Sequence, residues 1–218
     1  MSGALAGLVI LAIGDSQMMN MMTTLHNSLE SAGAVVHTYA MCGATAADWI
    51  YKSTVASCGR GERHDKGPVL LENQKTEPTY VLSDLIAQNH PNLILVELGD
   101  TMAGYGLAQI ERQWVVEQVR ALTGRITASN IACDWIGPMW GQLQPPYQKS
   151  DARVREISQL LSQIVSPCRY IDSTAFARPG EWPTRDGTHL QPDGYRHWAV
   201  DITDAVVRLR PQAALSSR

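Results

Sequence analysis

The sequence predicts an α/β fold, a single three-layer α/β/α domain around a five-stranded parallel sheet. Three observations carry that expectation. Short runs rich in Val, Ile and Leu recur at residues 8–13, 35–40, 92–98, 131–136 and 169–171. Segments with apolar residues at helical period separate them, and this alternation marks βαβ units, whose parallel sheets are covered on both faces. The length of 218 residues, with 44% hydrophobic and 18% charged residues, suits one domain with a substantial core and not a disordered chain.

In chain order, the first strand, 8–13, runs through Gly14 into a helix over 17–32 that Gly33 stops. The second strand, 35–40, leads past Gly43 to a short helix over 46–55. A helix over 80–88 precedes the third strand, 92–98, and a helix over 106–123, with Gly124 as its stop, precedes the fourth, 131–136. Ser150 is suited to cap a helix over 151–164, residues 169–171 form the fifth strand, and Asp193 is suited to cap a last helix over 194–208. Stretches 57–79, 138–150 and 173–191, rich in Gly, Pro, Arg and Trp, read as loops. The latter two follow strands directly, at the carboxyl edge where open α/β sheets bind ligands. The domain is expected to span 1–210, with a frayed tail over 211–218.

Charge and cysteine usage narrow the function classes. The net charge is −3 and the Lys and Arg residues are scattered singly, which argues against nucleic acid or an anionic membrane as partner. The apolar run over 5–13 is too short to span a bilayer and has no charged region before it. Cys42, Cys58, Cys133 and Cys168 lack metal-ligand spacing, and four cysteines allow three disulfide connectivities. Cys133 and Cys168 each open a strand, which suits a bridge if those strands are neighbours; Cys42 and Cys58 flank a short helical stretch. Disulfides would place the protein in the periplasm or outside the cell, whereas four reduced, buried cysteines would suit a cytoplasmic enzyme.

Two short motifs carry chemistry. Ile13-Gly14-Asp15-Ser16-Gln17 joins an apolar strand to an amphipathic helix, with Ser16 as the expected cap. A serine there lies beside free backbone N–H groups at the positive end of a helix, where a developing oxyanion is favoured. Asp186-Gly187-Thr188-His189 precedes a Pro-Asp-Gly turn into the last helix. On a turn, that spacing lets the carboxylate accept from one imidazole nitrogen, fixing the tautomer and leaving the other nitrogen to take a proton from serine. Each motif alone is commonplace; together they mark the first and last strand-to-helix turns of one sheet, both on its carboxyl edge.

Gly14-Asp15-Ser16 near the start and Asp186-Gly187-Thr188-His189 near the end resemble the first and last blocks of SGNH (GDSL-like) hydrolases, a family of esterases, lipases, carbohydrate deacetylases and some O-acyltransferases with a flavodoxin-like sheet. The resemblance implies that Ser16 attacks an ester carbonyl, His189 acts as base and then acid, and Asp186 orients His189. Gly43 stands where the family's second block has an oxyanion-hole glycine. The third block departs from the family: Leu98-Gly99-Asp100-Thr101-Met102 has Thr101 in place of the asparagine and Asp100 at the variable position. An Asp100 carboxylate aimed at the hole would repel the oxyanion, whereas the Thr101 hydroxyl can donate. The expected hole is therefore Ser16 N–H, Gly43 N–H and Thr101 Oγ, with Asp100 bracing the loop.

Loop tryptophans Trp140 and Trp182 are candidate sugar-stacking residues. Met18, Met19, Met21 and Met22 read as core filler, and His26, His37, His64, His90 and His197 as residues outside the site. No metal or other cofactor is expected. The expected substrate is an O-acylated, chiefly O-acetylated, glycan, with an acyl-enzyme on Ser16. An O-acetyltransferase or a short-chain esterase or lipase would use the same residues, and a weakened carbohydrate-binding domain is the reading from another class.

Overall fold

The computed structural model describes residues 3–54, 58–73 and 77–210; the expected tail, 211–218, lies outside the described residues. Its centre is a seven-stranded sheet of order β4-β3-β2-β1-β5-β6-β7. Strands β1 (Val9–Gly14), β2 (Val35–Met41), β5 (Leu93–Glu97), β6 (Ala132–Ile136) and β7 (Arg169–Ile171) are mutually parallel and match the five predicted runs to within two residues. The central strands β1 and β5 are buried on both faces: in β5 Leu93 and Leu95 enter one core while Ile94 and Val96 enter the other. That two-sided burial is why these strands read as continuous apolar runs.

Two strands were not expected. β3 (Arg60–His64) and β4 (Leu70–Glu72) extend the sheet antiparallel beyond β2, inside the stretch predicted as loop. β3 is Arg-Gly-Glu-Arg-His, and its buried positions are Gly61 and Arg63, so no apolar alternation announces it. Arg63 is accommodated by donating to the Gly67 and Thr23 carbonyls, and Arg60 pairs with Glu72 across the hairpin. β4 is three exposed residues at the edge, short and charged at its end as sheet edges tend to be.

Helices α1 (Ser16–Ser31) and α5 (Pro192–Arg208) cover one face, contributing Met18, Met21, Met22 and Trp198 to its core, so the methionines are filler as expected. The other face carries α2 (Leu82–Asn89), α3 (Arg112–Ser129) and most of the apolar side of α4 (Asp151–Ile164). Several boundaries differ from expectation. The segment after Gly43 makes only a 3₁₀ turn, Ala46–Trp49, closed by the Thr45–Asp48 capping box; Val55, the predicted helix end, lies outside the described residues. α3 starts six residues later than predicted and runs through Gly124 to a left-handed Asn130. A helix already packed by Val115, Val119, Leu122 and Ile126 tolerates one interior glycine. Ser150 caps α4, accepting from Arg153 N, but Gln191 and not Asp193 occupies the cap of α5, because Pro192 starts that helix.

Cys133 and Cys168 face each other at the starts of β6 and β7 and form a disulfide, and Cys42 bridges to Cys58. Among the described residues no helix is long and apolar enough to cross a membrane. The strand order changes direction between β1 and β5, and a crevice opens beyond their carboxyl ends.

Candidate active site

The site is built where β1 gives way to α1. Asp15, not Ser16, is the cap: its Oδ1 accepts from Gln17 N at 2.8 Å, so Ser16 becomes the first helical residue. A carboxylate one residue earlier takes the capping bond, and the serine side chain is thereby left for another partner. That partner is His189 Nε2, 2.9 Å from Ser16 Oγ. His189 lies on a tight loop closed by the Thr184–Leu190 bridge. Its Nδ1 is 2.7 Å from Asp186 Oδ2, while Asp186 Oδ1 accepts from His189 N at 2.8 Å and Thr188 N at 3.1 Å. Gly187 has φ +93°, and a Cβ there would meet the Gln142 and Gln144 carbonyl oxygens at 2.9 Å, so the turn requires glycine.

Burial alone would raise the Asp186 pKa, but the bonds from the His189 ring and from the two backbone N–H groups outweigh it and hold the carboxyl below 3.8. An ionised Asp186 accepts from Nδ1–H, which leaves Nε2 with its lone pair toward Ser16 Oγ–H.

Gly43, at φ +78° just past β2, lines the cleft with Ser16, Asp100, Thr101, His189 and the Cys42–Cys58 bridge. The Thr101 hydroxyl, expected to donate into the hole, donates instead to the Ala44 carbonyl at 2.8 Å and ties its loop to the Gly43 loop. Asp100 is braced on every side: Oδ1 accepts from Tyr105 Oη at 2.7 Å, and Oδ2 accepts from Gln17 Nε2 and Lys149 Nζ, each at 2.6 Å. Gln17 in turn accepts from Tyr195 Oη at 2.6 Å.

Behind this wall lie Asp15 and Glu97, both fully buried. Burial, and next the Asp100 carboxylate, push Asp15 up to about 7. Burial and next Asp15 push Glu97 well above the carboxylate range. Glu97 Oε2 accepts from Met18 N at 3.1 Å, while Asp15 Oδ2 and Glu97 Oε1 have no hydrogen-bond partner among the described residues. Two adjacent carboxyls in a low-dielectric site favour a protonated form.

The expected sugar-stacking residues lie elsewhere. Trp140 is 8% exposed, donates to the Thr174 and Ala177 carbonyls and packs in the α1/α5 core, so it anchors its loop. Trp182 stacks on His197 and packs at the margin of the same core. Neither lines the cleft; its aromatic walls are Tyr105 and Tyr147, the latter edge-on to His189 at 5.7 Å. Sequence reasoning passed over both tyrosines, Gln17 and Lys149. Lys149 carried no usable signal, since a lysine before a helix cap reads as solvent-exposed. Gln17, next to the nucleophile, carried a positional one. Among the described residues no group of three or more His, Cys, Asp or Glu is placed to hold a metal ion.

No family model matches the chain. It is 40% identical over 210 residues to Protein BcsX of Komagataeibacter xylinus, covering 95% of this chain and 79% of that one. Its fold is similar to that of a lipase/acylhydrolase from Enterococcus faecalis, with TM-score 0.62, 14% identity and coverage of 94% of this chain and 98% of that one. A catalytic mutant of Axe2, an acetylxylan esterase from Geobacillus stearothermophilus, matches with TM-score 0.58 and 14% identity over 92% of this chain and 94% of that one. The chain thus belongs to one family with Protein BcsX, and it shares its fold with lipase/acylhydrolases and acetylxylan esterases.

Proposed function

We propose that this protein is a serine carboxylic ester hydrolase that removes O-acyl groups, chiefly O-acetyl, from a polysaccharide. The observation that carries the reading is the continuous chain from Ser16 Oγ through His189 to Asp186, at 2.9 and 2.7 Å, opening on one cleft. Ser16 Oγ adds to the ester carbonyl as its proton passes to His189 Nε2, and the backbone N–H groups of Ser16 and Gly43 receive the oxyanion. Collapse breaks the ester C–O bond, and His189 returns the proton to the departing sugar oxygen. Water, deprotonated by His189, then attacks the acyl-enzyme, releasing the carboxylic acid and restoring Ser16. The glycan substrate is supported by the open, tyrosine-walled cleft and by a fold shared with acetylxylan esterases. The two disulfides support a periplasmic or secreted location.

The test is hydrolysis of p-nitrophenyl acetate and acetate release from acetylated xylan, with intact-mass detection of a fluorophosphonate adduct. Wild type is expected to turn over and to gain one adduct; Ser16→Ala is expected to lose both. A folded wild type that does neither overturns the reading. Supplying a de-acetylated glycan as acceptor gives the O-acetyltransferase reading its chance, which faster transfer than acid release would favour.

A further inference from the structure

We propose that Lys149 is a positioning residue for the oxyanion hole: its ammonium holds and neutralises the Asp100 carboxylate on the cleft wall, so that negative charge can develop beside Ser16. The proposal rests on the ester-hydrolase reading.

The Lys149 and Asp100 side chains are 1% and 8% exposed, and Nζ lies 2.6 Å from Oδ2. A lysine is rarely buried so completely unless paired, and this one is seated by several independent features. Its stem runs past Gly141, where a Cβ would meet Lys149 Cδ and the Gly187 carbonyl oxygen, each at 2.4 Å. The loop that carries it is fastened to the histidine loop by Gln142 N, which donates to the Gly187 carbonyl at 2.8 Å. Its ammonium also lies 5.4 Å from the centre of the Tyr105 ring.

The charge is needed because of what surrounds Ser16. Asp15, Glu97 and Asp100 crowd one end of α1, and Asp100 lines the cleft itself. The same lysine counters both buried carboxyls, working against the burial that raises their pKa values. In a site of low dielectric an uncompensated carboxylate would oppose a forming oxyanion strongly. The family's asparagine, absent here, would have brought a neutral donor. In its place stand a threonine turned to Ala44 and an acid that is harmless only while paired.

The experiment measures kcat and KM on p-nitrophenyl acetate, per serine titrated by fluorophosphonate, for wild type, Lys149→Met, Asp100→Asn and the double variant. Lys149→Met is expected to lower kcat about a hundredfold, the scale of a lost oxyanion contact, with KM within about twofold. Adding Asp100→Asn is expected to return at least about tenfold of that loss, because the unpaired charge is gone. A folded Lys149→Met with wild-type kcat, or a double variant no faster than it, overturns the proposal. If Lys149→Met does not fold, the comparison is made within Asp100→Asn, where removing the lysine is expected to cost less than about threefold and a tenfold loss overturns the proposal. A wild type that neither labels nor turns over removes the hydrolase reading itself, and this inference with it.

Discussion

Asp186 uses one carboxylate oxygen for the His189 ring and the other for two backbone N–H groups of its own loop. Both jobs require an acceptor. In Asp186→Asn the amide can keep its oxygen on the backbone only by turning its NH₂ toward Nδ1, which forces the proton onto Nε2 and away from its role as base. The expected outcome is a fall in kcat of about 10³–10⁴ with little change in KM, as in other triads that lose this tautomer. Because the native Asp186 pKa lies below 3.8, its contribution to stability is complete above the unfolded pKa and is lost only as pH falls through the native one. A decline in activity between pH 7 and pH 5 would therefore not belong to Asp186.

The start of α1 shows how one element serves both folding and chemistry. Asp15 caps the helix and frees the Ser16 hydroxyl, yet it does so as a buried acid whose pKa is pushed up to about 7. The sign follows from proton uptake: the native state holds a proton that the unfolded chain releases near pH 3.8. Stability from this group is therefore fully present below pH 3.8 and is lost as pH rises toward 7. Asp15→Asn keeps a capping oxygen while removing the titration. Its melting temperature is expected to exceed that of wild type by about 2–4 °C at pH 8. At pH 5 the gain should be less than half as large, vanishing only as pH falls to about 3.8, as thermal melts in matched buffers would test. An equal gain at both pH values would show that charge at Asp15 is not the cause. The β3–β4 hairpin makes a second point at this scale: it is held by an Arg60–Glu72 pair and a buried Arg63, interactions that leave no apolar period to read.

Across the molecule, the Cys133–Cys168 bridge and the chemistry lie at opposite ends of the parallel strands. The Cys133–Cys168 bridge joins β6 and β7 at their starts, across a sequence separation of 35, while Ser16, Gly43, Asp100 and His189 gather beyond the strand ends. Replacing both cysteines by alanine is expected to lower unfolding free energy by about 4 kcal/mol on the chain-entropy account. The urea midpoint should fall, and kcat at 25 °C should remain unchanged. A matching loss of kcat would show that the two ends are mechanically coupled. The same division governs what could be read in advance. The parallel strands were legible because the central ones are buried on both faces and so are largely apolar, and Asp186 and His189 were legible as a pair because they stand three positions apart on one turn. Trp140 was misplaced because an indole on a loop gives no sign of whether carbonyls will receive its N–H. By itself the sequence determined the layered α/β class, the strand-end turns that carry Ser16 and His189, and the departure at Asp100 and Thr101. Only the tertiary structure decided that Asp100 meets Lys149, Gln17 and Tyr105, that Thr101 turns to Ala44, and that tyrosines wall the cleft. The physical reason is range: apolar burial and turn chemistry are written in neighbouring residues, whereas a buried charge is matched by whichever side chain the packed loops bring within reach, here 49 residues along the chain.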